Sequence, residues 1–105
     1  MQIVETTSFT RRARELLSDD EYRLLQLYLA GHPEAGAVIR NSGGLRKARW
    51  SVAGRGKRGG VRVIYHRAKT RDQLMMLLIY SKTEYDDLTS SQLKILRRIV
   101  EEEYR

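Results

Sequence analysis

Apolar and polar positions change their spacing along this chain, and each change marks an element. Gln2 to Thr6 favours β structure and predicts a first strand. Phe9, Ala13, Leu16 and Leu17 recur at helical spacing, with Ser8 placed to cap a helix starting at Phe9. Ser18 followed by Glu21 is a capping box. It predicts a second helix carrying Tyr22, Leu24, Leu25, Leu27, Tyr28 and Leu29, ended by Gly31-His32-Pro33. The two helices are expected to form a hairpin. Glu34 to Ile39 reads as one helical turn and Asn41 to Gly44 as a loop.

The spacing then falls to two. Between Leu45 and Ala53, Ala48, Trp50 and Val52 lie on one face and Lys47, Arg49 and Ser51 on the other. From Val61 to His66, Val61, Val63 and Tyr65 oppose Arg62, Ile64 and His66. Between these strands, Gly54 to Gly60 is a turn too basic to bury. Leu74 to Tyr80 is apolar on both faces, the mark of a central strand covered on both sides. Thr89 and Gln92 form a second capping box, opening a last helix with Leu93, Leu96 and Val100 on one face. The expected fold is α+β, in the order β-α-α-β-β-β-α, with the last three strands an antiparallel meander. At 105 residues the chain suits one domain, 1–105.

Charge sharpens this picture. Between Arg40 and Arg71 stand eleven Lys or Arg residues and no Asp or Glu, so the net +7 arises in that window alone. A solvated face normally mixes signs, whereas a concentrated positive surface on an ordered domain suits a polyanion, nucleic acid first. Arg46, Lys47 and Arg49, then Arg55, Lys57 and Arg58, then Arg62 make up the candidate patch. Lys47 and Arg49 share a face with Arg62 if the strand register allows.

Cysteine is absent, which excludes disulfides and thiolate metal sites. No histidine or carboxylate cluster has ligand spacing, so no metal is expected. The start, Met1 to Glu5, lacks the pattern of a signal peptide. The apolar run from Leu74 to Tyr80 is far short of the ~20 residues that cross a bilayer. An intracellular, cytoplasmic protein without membrane attachment is expected.

Weaker signals accompany these. Gly56 to Gly60 could bring backbone N–H groups to a phosphate or be only a flexible turn. Lys82 and Tyr85 follow the buried strand, where a rigid element meets a loop. Glu84, Asp86 and Asp87 read equally as the lead into the last helix. His66 suits strand packing better than proton transfer, His32 suits the surface, and Trp50 and Tyr65 suit the core.

Three segments, Leu45 to Arg49, Gly56 to Tyr65 and Ile79 to Leu88, resemble the RelE superfamily of bacterial toxins, closest to its HigB-like branch. The resemblance spans nearly the whole chain. It implies a compact RNase-like fold, helices packed on a small twisted antiparallel sheet. It also implies an mRNA interferase, an endoribonuclease that cuts translated mRNA in the ribosomal A site without a cofactor and so inhibits translation. The partners implied are the 70S ribosome with its mRNA and a cognate antitoxin with a helix-turn-helix domain, through which alone operator DNA would be reached. By position, Arg62 matches a family active-site arginine, and Lys82 matches the basic position after the last strand. Arg46, Lys47, Arg49 and Lys57 match the basic residues of the preceding strand and hairpin. The expected catalytic set is Arg62, Arg49, Lys57 and Lys82, with Arg46, Lys47, Arg55, Arg58 and Tyr85 binding RNA or ribosome. Thr83 and Leu88 stand where members nearer RelE itself carry a basic residue and a tyrosine, which leaves the general acid and base open. The alternatives are a gyrase-poisoning toxin of the same superfamily and a nucleic-acid-binding module without catalysis.

Overall fold

A computed structural model describes residues 1–52, 60–84 and 87–105. In chain order these form β1 (Gln2–Glu5), α1 (Thr7–Leu16), α2 (Asp19–Gly31), β2 (Ala37–Val38), β3 (Arg46–Ser51), β4 (Gly60–Ala68), β5 (Gln73–Ser81) and α3 (Ser90–Glu103). The strands make one sheet in the order β1-β5-β4-β3-β2. The α+β class, the helix pair, the β3-β4-β5 meander and the last helix are all as expected. Both expected capping boxes form, at Ser18 with Glu21 and at Thr89 with Gln92.

Three local features differ. Thr6, not Ser8, caps α1: its Oγ1 accepts from Phe9 N–H and donates to the Leu77 carbonyl at 2.9 Å, tying the cap to β5. The segment expected as a helical turn instead supplies β2, because its polar backbone is satisfied by the sheet. Ile39 N–H bonds the Leu45 carbonyl at 2.8 Å, and Ala37 and Val38 pair with Lys47 and Arg46. β1 runs parallel to β5, with Ile3 opposite Leu74, so the sheet is mixed rather than wholly antiparallel.

The centre of the sheet is covered on both faces. Phe9, Ala13, Leu25 and Leu29 of the helix pair cover Val63, Tyr65, Met76 and Ile79. Leu96 and Val100 of α3 cover Ile64, Met75 and Leu77 on the other side. The central ladder slips by one residue: Ile64 pairs with Leu78 but Tyr65 with Met76, leaving Leu77 as a bulge. Leu77 and Leu78 therefore both face α3, and Ile79 and Met76 both stay with the helix pair. Among the described residues no helix is long and apolar enough to cross a membrane.

Candidate active face

Register decides which basic side chains meet. In the β3–β4 ladder Arg49 lies opposite Arg62, and in the β4–β5 ladder Arg62 lies opposite Tyr80. Residues opposite each other share a face, so Arg49, Arg62 and Tyr80 form one row across three strands. Lys47, opposite Ile64, stands one step along on the same face, the α3 side. The alternation fixes this direction, since Ala48, Val61 and Val63 are buried against the helix pair and their neighbours must point the other way.

Arg62 is half-buried, and its Nη1 donates to the Val61 carbonyl at 3.3 Å. The strand carrying it is anchored on both sides by core residues, Val61 at 1% and Val63 at 0% exposure. Among the described residues no carboxylate pairs with Arg49 or Arg62. Gly60 suits the narrow neck of the hairpin, where a Cβ would come within 3.3 Å of the Trp50 carbonyl.

Lys47 is different. Its Nζ donates to Asp87 Oδ1 at 2.8 Å, a bond made across the end of α3's lead-in segment. That hydrogen bond, and then the ammonium charge, holds the Asp87 carboxyl below its usual range. Asp87 thus places an acid on a face that local composition makes wholly basic. From sequence, Asp87 reads as no more than a lead into α3, and a 40-residue separation leaves no local signal of its partner.

Arg46 does not join the row. It pairs with Tyr65, on the helix-pair face, and its Nη1 donates to the carbonyls of Gly36 at 2.8 Å and Glu34 at 3.3 Å. It holds the loop before β2. Lys82 is exposed, and its backbone N–H reaches the Gly60 carbonyl at 3.3 Å, which places it at the Arg62 end of the sheet. The turn after β5 is fixed by Glu84, whose carboxylate accepts from Ser81 N–H and pairs with Arg12 of α1. Arg55, Lys57, Arg58 and Tyr85 lie outside the described residues.

The histidines take no part in the row. His66 is half-buried against the Tyr104 ring, with centroids 5.6 Å apart, and burial pushes its pKa down. His32 is exposed and stacks on Tyr28 at 4.7 Å. Tyr65 is a core residue, and Trp50 packs at the core's margin. Among the described residues, no three His, Cys, Asp or Glu side chains gather as a metal site.

Such a face can hold a phosphate between two guanidiniums and stabilise charge growing on it. In a comparison with known families, a model described as the RelE toxin of the RelE/RelB toxin–antitoxin system matches residues 1–104.

Proposed function

The chain belongs to the RelE family of toxins from toxin–antitoxin systems, and from that membership we propose that it is a ribosome-dependent mRNA interferase of the HigB-like branch. The observation that carries the reading is the facing pair Arg49 and Arg62 on two inner strands, without a described carboxylate partner.

In the proposed reaction an RNA 2′-oxygen attacks the adjacent phosphorus and the bond to the 5′-oxygen breaks. The 2′-hydroxyl proton leaves, the 5′-oxygen gains one, and a cyclic phosphate remains. Charge builds on the phosphoryl oxygens and on the leaving oxygen. Arg62 and Arg49 stabilise it from fixed positions, which is the most effective form of electrostatic catalysis. Lys57 or Lys82 moves the proton. The ribosome aligns the strand in-line and so supplies the entropic part of the acceleration. Arg55 and Arg58 bind the ribosome or message through phosphates, with Tyr85 beside them.

The domain acts in the cytoplasm as a single unit, restrained by a cognate antitoxin with a helix-turn-helix domain. An acidic segment of that antitoxin laid over Lys47, Arg49 and Arg62 is the electrostatically matched mode of inhibition. The test is expression in bacteria with mapping of mRNA 5′ ends. Growth arrest with cuts inside translated messages is expected. Arrest with intact messages, or no arrest, counts against the reading, and gyrase-dependent DNA breaks would point to a gyrase poison.

A further inference from the structure

Beside the arginine row the sheet does not close fully onto α3. A cavity of about 320 Å³ opens there, walled by Ile39, Ile64, Leu88 and Leu93. Tyr80, the β5 partner of Arg62, lines it too, and Arg40, Lys47 and Asp87 complete the lining. The volume is at the small end of ligand pockets, and apolar walls with a few placed polar groups are their usual make-up. Two cations, Arg40 and Lys47, and one carboxylate, Asp87, stand there, so a bare phosphate would meet both signs and gain nothing from the apolar walls. A flat ring is well served by them. Single-stranded RNA is commonly read through splayed bases, gripped on their faces and hydrogen-bonded along their Watson–Crick edges.

Resting on the reading of this face as an RNA-cleaving one, we propose that the cavity is a subsite for one nucleobase of the substrate strand, and that the Lys47–Asp87 pair selects guanine. The selection follows from donors and acceptors. An ionised carboxylate only accepts, and an ammonium only donates. Joined at 2.8 Å, the two present acceptors beside a donor. Guanine's edge is the complement: N1–H and the N2 amino group donate, and O6 beside them accepts. Adenine, cytosine and uracil each carry one donor group on that edge. None of them offers the carboxylate two adjacent donors.

The placement suits a strand already held by the arginines. Lys47 stands two residues from Arg49 on the same face of β3, about 6.7 Å along the strand. A phosphate seated on Arg49 and Arg62 thus brings a neighbouring base to the cavity mouth. Asp87 stays ionised near neutrality because Lys47 stabilises its charged form.

The test binds the 5′-monophosphates of guanosine, adenosine, cytidine and uridine to the full chain, and maps which base lies next to each cut in cellular messages. Guanosine monophosphate is expected to bind roughly tenfold to a hundredfold tighter than the others. Asp87→Asn, which offers a donor as well as an acceptor, should erase that advantage and flatten the base profile at the cuts. Asp87 is exposed and its ion pair lies at the surface, so the variant keeps its fold. Equal binding of the four nucleotides, or a guanine preference that survives Asp87→Asn, overturns the subsite even if messages are cut. Asp87-dependent binding of guanosine monophosphate without any mRNA cutting supports the subsite and removes the cleavage reading instead.

Discussion

Arg49 and Arg62 face each other directly across the β3–β4 ladder, two like charges on the same side of the sheet. Cross-strand neighbours of one sign repel, and such pairs shift stability by roughly 0.2–1 kcal/mol. No described carboxylate relieves the repulsion. The strands tolerate it because Ala48, Val61 and Val63 anchor their other face. Arg49→Thr should therefore raise stability by about 0.5 kcal/mol while weakening cleavage. Urea midpoints and cutting rates measured on the same preparation check both halves. A variant less stable than the parent shows that the repulsion is screened away.

Arg62→Ala should separate chemistry from binding. Arg62 stands on a rigid inner strand, and removing one fixed donor aimed at developing charge typically costs ~10²–10³ in rate. Single-turnover cleavage on programmed ribosomes, with the toxin in excess, should show that loss while the fold and most ribosome affinity remain. Arg55→Ala should weaken binding and lower its salt dependence with little change in the saturated rate. Equal rates for Arg62→Ala and parent at saturation would shift the catalytic role to Lys57 or Lys82.

Arg46→Ala should act on stability. Its guanidinium serves two loop carbonyls on the far face from Arg62. Losing those charge-assisted bonds should cost about 1–2 kcal/mol, read as a lower melting temperature. If the lower midpoint is absent and ribosome affinity falls instead, Arg46 belongs with the binding residues.

Gly36→Ala tests the same loop from inside. A Cβ there would come within 2.9 Å of the Lys47 carbonyl group and of the Tyr65 ring. Backbone cannot yield as a flexible side chain does, so a loss of about 1–3 kcal/mol is expected. Thermal denaturation measures it, and an unchanged midpoint would show that β2 is free to move off the sheet.

His66 gives the acid limb of stability its direction. Burial lowers its folded-state pKa below the ordinary 6.5. Its contribution is complete above pH 6.5 and is lost as pH falls through the folded value, because the unfolded chain takes up the proton first. His66→Phe keeps a ring against Tyr104 and should flatten the decline of stability below pH 6.5. Denaturant midpoints for both proteins across that range decide it.

What could be read from sequence, and what could not, follows the range of the interactions. The capping boxes at Ser18 and Thr89 need only residues three apart, and both form. The faces of β3 and β4 followed from period-two alternation, which put Lys47, Arg49 and Arg62 together once the register was known. The same alternation separates Arg46 from Lys47, yet neighbouring basic residues read easily as one patch. β2 was missed because its pairing depends on Leu45 and Lys47 rather than on its own two residues. The partner of Lys47 was invisible for a similar reason: Asp87 lies 40 residues away and inside an acidic run that has a sufficient local explanation.

The pairing of β1 with β5 also has a meaning in time. Gln2 through Glu5 seat against Gln73 through Met76, and Thr6 bonds Leu77 across a gap of 71 residues. During synthesis the first strand emerges early and finds no edge to join until most of the chain has been made. The arginine row depends on the same late strand, since Tyr80 closes it. A growing chain therefore carries its basic window out of the exit tunnel before the sheet that organises it exists. The row is therefore set in one late step, when β5 joins β4.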